Sequence, residues 1–302
     1  MRKEKQSVRQ FYDTFGWAKD EEGAYNDAVA FVDNRPVLES YSSRAHLRMR
    51  SFLKPRGRYF LDAGSGPIAH PALIQDAEGF DRHVCVDFSA VALAEARSKL
   101  GRRGLFVVGD LACLPFRDST FDTTACHHVL YHVPPDEQGA VLCEFHRTLN
   151  DGGRCVVIYR WPDTVLKRLA RVVLIVEEKL KRPKVLMKHM LAQVPGLRRL
   201  KRMFIESLPR PEPAPVKELP HLYCMPHDYR RLRALFAKEW QYKIRVWRSV
   251  DDSFTRAFVP DNGWGRFVMA VIWRLECLFP CVLMRMGKYP LIVMTKGSAG
   301  GS

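Results

Sequence analysis

The chain is predicted to fold as a doubly wound α/β protein, on three observations. Short apolar strands alternate with amphipathic helices, a glycine-rich turn follows the first strand, and the strands after it end in acids. The first strand is Tyr59–Ala63, and its turn is Gly64-Ser65-Gly66. The second, His83–Asp87, closes on a carboxylate, and the third, Leu105–Val108, runs into Gly109-Asp110. Two more strands are expected near Thr123–His127 and Cys155–Tyr159. Their apolar runs suit strands covered on both faces, as in a parallel sheet. Ser89 can N-cap the alanine-rich helix Ala90–Leu100. A helix over Asp136–Leu149 places Val141, Leu142, Phe145 and Leu149 on one face. Ligands of such sheets bind beyond the carboxyl ends of the strands, where these acids sit.

Around this core, taken as residues 57–160, the pattern changes. Residues 1–56 read as a helical segment anchored by Phe11, Tyr12, Phe15 and Trp17. The alternation stops over residues 161–220, a basic helical insertion. Within it Val165–Leu180 is amphipathic, with Leu166, Leu169, Val173, Val176 and Leu180 on one face and Lys167, Arg168 and Arg171 flanking or opposing it. A second basic stretch, Lys184–Ile205, precedes a proline-rich linker, Pro209–Pro215. Residues 221–296 resume the core with a helix over Pro226–Glu239 and strands at Gln241–Trp247 and Tyr289–Lys296. Trp264–Met286 is rich in Phe, Trp, Met and Leu but is interrupted by Arg274, Glu276 and Pro280, so it reads as a pocket wall or an interfacial helix rather than a membrane span. Residues 297–302 read as an appended linker.

The net charge is +15, and residues 160–210 hold 14 Lys+Arg against 4 Asp+Glu, so this one segment carries most of the excess. Such a surface attracts nucleic acid or an anionic membrane. The 8 cysteines include no Cys-x-x-Cys pair and read as free thiols of a reducing cytosol. No apolar run of signal-peptide length follows the charged start. The expected location is therefore cytoplasmic, with peripheral contact on the inner face of a membrane open to the basic insertion.

Asp62 chooses between two adenosine-bearing cofactors. Gly64-x-Gly66-x-x-Ala69 satisfies the loose dinucleotide fingerprint, with Asp87 near the distance of a ribose-binding acid. Asp62, however, stands two residues before Gly64, where a dinucleotide would bring its pyrophosphate. S-adenosylmethionine (SAM) brings a sulfonium and an ammonium group instead, which a carboxylate attracts. Further on come Leu105-Phe-Val-Val-Gly-Asp110-Leu-Ala-Cys-Leu-Pro115-Phe, Phe121-Asp122, Val129-Leu-Tyr-His132-Val-Pro and Arg147-Thr-Leu-Asn-Asp-Gly-Gly153. From about Tyr59 to Tyr159 the series resembles the class I SAM-dependent methyltransferases, in particular the quinone-biosynthesis-like small-molecule enzymes. The chain departs from that pattern at Ile68, where the family usually has a third glycine, and at the preceding Pro67.

The resemblance implies a Rossmann-like seven-stranded sheet with an antiparallel last strand, a helical cap insertion and an N-terminal lid over the cofactor. It implies that Asp62, Ala63, Gly64, Ser65 and Gly66 lie under the methionine portion of SAM. Asp87 would accept the ribose hydroxyls, with Phe88 beside it. Asp110 and Leu111 would meet the adenine, and Cys126 and His127 the methionyl end. For the methyl acceptor, His128, Tyr131 and His132 are the candidate catalytic side chains, since histidine titrates near neutrality. Tyr12, Trp17 and Tyr223 are candidates for the substrate side, with Lys167, Arg168 and Arg171 for a membrane surface; His221 and His227 are further cap candidates. A metal site is not expected, because adjacent histidines on a strand end diverge and no partner lies at ligand spacing. The expected function is methylation of a hydrophobic or amphipathic small molecule (a quinone or isoprenoid, a lipid, or a natural-product precursor) at a membrane surface. An RNA or DNA methyltransferase, a non-catalytic SAM-binding scaffold and, more distantly, an NAD-dependent dehydrogenase are the alternatives.

Overall fold

In a computed structural model, residues 2–164, 220–236 and 240–297 are described. One compact unit comprises residues 1–166 and 221–302, and residues 167–220 form a second, of which all but Pro220 lie outside the described residues. The amphipathic helix, the second basic stretch and the proline-rich linker of the insertion, with Lys167, Arg168 and Arg171, therefore also lie outside them.

Seven strands build one sheet in the order β3-β2-β1-β4-β5-β7-β6. They are β1 (Gly57–Ala63), β2 (Phe80–Asp87), β3 (Gly104–Val108), β4 (Phe121–His127), β5 (Leu149–Ile158), β6 (Trp240–Arg248) and β7 (Tyr289–Lys296). The first five pair in parallel, and β7 is antiparallel to both β5 and β6. The order reverses at β1, so the crevice between the carboxyl ends of β1 and β4 is the switch point at which such sheets bind ligands.

The helices are α1 (Lys3–Phe11), α2 (Asn26–Phe31), α3 (Glu39–Arg50), α4 (Pro71–Asp76), α5 (Ala90–Leu100), α6 (Gln138–Thr148), α7 (Tyr229–Ala234), α8 (Asp252–Phe258), α9 (Gly263–Leu278) and α10 (Pro280–Met286). Ser89 caps α5 by accepting from the Ala92 amide at 3.0 Å. One core packs α6 residues Val141, Leu142 and Phe145 and α10 residue Met284 against Leu61, Ala63, Val84, Val86 and Ile292. The other packs Ala45 and Met49 of α3 against Phe60, Ala125, Val156 and Ile158. Alternate residues of β1 thus face opposite layers, which is the period of a strand buried on both sides. The core also runs past residue 160: Trp161 is buried, its backbone N–H donating to Lys288 O at 2.9 Å and its Nε1 to Met284 O at 2.8 Å.

Candidate functional site

The turn after β1 is shaped by left-handed backbone. Gly64 has φ +77° and Gly66 φ +54°, a region open to glycine. A Cβ on Gly64 would lie 2.5 Å from Val129, and one on Gly66 would lie 2.7 Å from the Trp17 ring. Ile68 also has a positive φ, +53°, rare for a β-branched residue. Its side chain is 2% exposed and packs with Cys85, Leu93 and Ala96. Lys99 Nζ holds the Pro67 and Ile68 carbonyls at 2.7 and 3.0 Å. Burial and these bonds hold a strained residue in place.

The amides of the turn are already engaged. Gly64 N and Ser65 N donate to Val86 O at 2.7 and 3.2 Å, and Gly66 N donates to Asp87 Oδ2 at 2.9 Å. Asp87 Oδ1 accepts from Ser89 N at 2.9 Å. Burial pushes the Asp87 carboxyl above its usual range, against the pull of those two amides. Asp110 caps its own turn through Ala112 N at 2.9 Å, and Leu111 beside it is buried. Asp62 lies a layer deeper: it is 2% exposed and its Oδ2 sits 3.2 Å from His83 Nε2. Its charge is thus placed beneath the glycine turn rather than open to the crevice.

The N-terminal segment is docked on this rim. Lys5 of α1 is buried and pairs with Asp110 at 2.5 Å and with Glu137. Burial works against its ammonium, but the two carboxylates more than offset this and raise its pKa. Beyond α1 a π-helical turn, Tyr12–Gly16, leads to Trp17. Trp17 stacks on Tyr12 with ring centroids 4.7 Å apart and meets Tyr25 edge-on at 5.8 Å. Trp17 Nε1 and Asp13 Oδ1 are buried without a hydrogen-bond partner. Phe88 lies under Lys5, 6.0 Å from its ammonium.

Past β4 the rim is aromatic and rich in histidine. Cys126 is buried and His127 ends the strand, 3.7 Å from Asp76. Burial, then the charge of Asp62, pushes Asp76 up to about 7. His128 has φ +61°, and its Nδ1 is buried with no partner. Its ring meets Trp247 at 4.9 Å, Tyr289 at 5.3 Å and Tyr131 at 6.2 Å. His132 Nδ1 lies 2.6 Å from Tyr223 O; a carbonyl only accepts, so Nδ1 carries the proton and Nε2 the lone pair. Burial lowers His132 to about 4 and His128 well below its usual value, so both are neutral at pH 7. Tyr131, between them, is buried as well.

The structure brings together Asp62, Ala63, Gly64, Ser65, Gly66, Asp87, Phe88, Asp110 and Leu111 on one side of the crevice. Cys126, His127, His128, Tyr131 and His132 lie on the other, with Tyr12 and Trp17 in the docked N-terminal segment. Tyr223 contributes its carbonyl to His132. His227 is held by structural bonds, its N donating to Tyr159 Oη at 2.7 Å and its ring facing Pro135 O at 3.0 Å. Sequence reasoning missed His46, His70, Trp247, Arg248 and Tyr289. His46 stacks on His70 at 5.0 Å and meets Trp247 at 6.3 Å, and burial lowers it to about 4. No motif marks these residues; the one available signal, a position at the end of β6 or β7, covers Trp247, Arg248 and Tyr289 but not His46 of α3 or His70 before α4. Among the described residues no group of three or more His, Cys, Asp or Glu is arranged to hold a metal ion. An open groove of 720 Å³ lined by Tyr229, Arg233, Tyr242 and Arg285 shares no residue with this rim.

Residues 61–157 match the family described as a methyltransferase domain. A 77-residue stretch is 38% identical to the ubiquinone/menaquinone biosynthesis C-methyltransferase UbiE of Desulfotalea psychrophila, covering 25% of this chain and 30% of that relative. Among solved structures, geranyl diphosphate C-methyltransferase from Streptomyces coelicolor A3(2), in complex with Mg2+, geranyl diphosphate and S-adenosyl-L-homocysteine, superposes with a TM-score of 0.53 at 14% identity, over 98% of both chains. The [4+2]-cyclase SpnF superposes with a TM-score of 0.50 at 15% identity, over 98% of this chain and 97% of that one. At such identities the structural likeness shows the fold, and one fold serves different chemistries.

Proposed function

We propose, from the premise that residues 61–157 are a methyltransferase domain, that the chain is a class I SAM-dependent methyltransferase of a hydrophobic or amphipathic small molecule. The observation that carries the cofactor assignment is the glycine turn. The amides of Gly64, Ser65 and Gly66 all donate within the protein, to Val86 O and Asp87. A dinucleotide's pyrophosphate is bound by such amides and by a helix N-terminus directly after the turn. Here α4 begins only at Pro71 and is capped by His70 Nδ1, which accepts from Ala72 N at 3.1 Å. The turn is built for a ligand that needs close backbone approach and no phosphate cradle, which favours SAM over NAD.

The residues fit that ligand. The missing side chains at Gly64 and Gly66 let Val129 and the Trp17 ring close directly on the turn that would carry the methionyl chain, above the buried Asp62. Asp87 presents its carboxylate to the ribose hydroxyls, and Asp110 and Leu111 hold the adenine edge. His127 and the backbone of Cys126, whose side chain packs in the core, line the methionyl end, and Trp17 with Tyr12 covers it and excludes water. The partnerless Trp17 Nε1 supports this, since a buried donor is costly to leave unpaired. SAM, when bound, supplies a methyl group already activated on a positive sulfur. The chain's part is alignment and exclusion of water.

The acceptor half favours an uncharged, ring-bearing or prenyl-like partner. His128, Tyr131, Trp247 and Tyr289 present rings, and the histidines are neutral at pH 7. His132 holds a lone pair on Nε2 and is the candidate base where the acceptor must lose a proton. The similarity to a ubiquinone/menaquinone biosynthesis methyltransferase and to a geranyl diphosphate methyltransferase favours a quinone or isoprenoid acceptor, and we place the reaction at the surface of a membrane, where such molecules partition. The test incubates the protein with methyl-labelled SAM and a lysate separated into lipid, small-molecule and nucleic-acid pools. Label in the lipid or small-molecule pool is the predicted result. Label confined to nucleic acid would replace the acceptor, and no label with SAM bound would leave a scaffold module.

A further inference from the structure

The helix α9 is apolar on two faces, and among the described residues only one of them is packed inside the protein. Met269 is buried against Val37, Leu38, Tyr41 and Val259, with Ile272 and Trp273 partly buried beside it. Trp264, Phe267, Val271, Leu275 and Leu278 recur three or four residues apart on another face, and all are exposed, Trp264 at 64% and Leu278 at 70%. The surface continues through Phe279 into α10 at Val282, where the two helices bend by 113°. No single described helix is long and apolar enough to cross a membrane. A soluble surface rarely shows so many contiguous large apolar side chains without a partner.

The charges around this face identify the partner. Between residues 263 and 286 the charged side chains are Arg266, Arg274, Glu276 and Arg285. The three arginines are exposed, whereas Glu276 is 1% exposed and bonded to Tyr41, Arg48 and Ser249. Within α9 and α10 the outward charge is therefore entirely positive, beside Trp and Phe, with Asp261 the one exposed acid just ahead of α9. That combination suits a helix lying in the plane of an anionic bilayer, rings at the headgroup level and arginines on phosphates. Glu276 also ties α9 rigidly to Ser249, next to the Trp247–His128 contact of the acceptor rim.

We propose that the α9–α10 elbow is the membrane-docking face, seated on anionic phospholipid through Trp264, Phe267, Val271, Leu275, Leu278, Phe279 and Val282. This rests on the membrane-surface part of the function proposed above and names the surface responsible. The test is co-sedimentation with vesicles of phosphatidylcholine and phosphatidylglycerol in equal parts, at low and raised salt, for the full chain. Three proteins are compared: the wild type, the triple variant Trp264→Ser, Phe267→Ser, Leu278→Ser, and the control Val91→Ser, whose site on α5 is equally exposed. Wild type and control are predicted to retain a bound fraction at raised salt, because apolar insertion is not screened. The triple variant is predicted to bind roughly tenfold more weakly at raised salt, given the apolar area it loses. Calorimetric titration with SAM is predicted to be unchanged in all three. Equal salt-resistant binding by wild type and triple variant overturns the proposal. So does a wild-type dimer, seen by ultracentrifugation, that the triple variant loses, since a second copy would then cover the face. Failure of SAM to bind any of them counts against the enzyme reading and leaves the vesicle result to judge this one.

Discussion

Ile68 offers a comparison in which the usual order of two substitutions reverses. Replacing it by alanine or by glycine removes the same buried side chain from the cluster with Cys85, Leu93 and Ala96. Both variants lose roughly 2–4 kcal/mol from that packing. At an ordinary position glycine would be the worse of the two by about 0.5–1 kcal/mol, through the entropy of its unfolded chain. At φ +53° alanine keeps the left-handed strain and glycine does not. That strain is worth roughly 1–2 kcal/mol for a residue with a Cβ. Ile68→Gly should therefore be more stable than Ile68→Ala by about 0.75 kcal/mol, the difference between the midpoints of these terms. Equilibrium denaturation in urea, with matching slopes for the two variants, measures it. If Ile68→Ala is the more stable by the ordinary margin, the residue is not strained, and the account of how this turn tolerates isoleucine fails.

Three further outcomes are expected. Asp87→Asn should weaken SAM binding about 10- to 100-fold, the loss of charge-assisted bonds to two hydroxyls, with unchanged circular dichroism; unaltered affinity by calorimetry would remove Asp87 from the ribose site. His132 is lowered by burial to about 4, so in the folded state it stays neutral while the unfolded chain takes up a proton below about 6.5. Its contribution is whole above pH 6.5 and is lost as the pH falls toward 4, so the gap in Tm between wild type and His132→Gln should narrow over that interval, and a constant gap would contradict it. Lys5→Met leaves Asp110 and Glu137 without their shared cation, so it should cost about 1–3 kcal/mol and speed amide exchange in residues 3–16; unchanged exchange would show that the pair does not hold the N-terminal segment down.

Much of the fold was legible because its signals are local. The helix Ala90–Leu100 and the strand Tyr289–Lys296 have the bounds expected of them, the first because Ser89 caps it and Gly101 ends it. Strand starts were placed late: β2 begins at Phe80 and β5 at Leu149, since their first residues include charged or glycine positions that neighbouring strands, not pattern, hold in the sheet. The helix expected from Asp136 begins at Gln138, after a turn bonded to Pro134 O. In the C-terminal part, Trp264–Met286 proved to be two helices, because Pro280 lacks the amide to continue the first.

The residues proposed for the cofactor stood out as a group for the same reason: Gly64, Gly66, Asp87 and Asp110 sit at fixed distances along consecutive strand ends. The acceptor side was not. His46, His70, Trp247 and Tyr289 come from four separate parts of the chain: the pairing of β7 between β5 and β6 brings Trp247 and Tyr289 to His128, while His46 of α3 reaches Trp247 and stacks on His70. The depth of Asp62 was equally hidden, since its partner His83 lies on the neighbouring strand and one pairing step away. Pairing across a sheet is a tertiary fact that spacing within one strand does not encode.

The central assignment is that the crevice between β1 and β4 takes the methyl donor. Calorimetric titration of the purified chain with SAM, repeated with S-adenosylhomocysteine and with NADH present, addresses it most directly. Saturable one-site binding that the demethylated product displaces and NADH leaves untouched is the predicted result. Heat from NADH alone, or none from SAM at millimolar concentration, would contradict it.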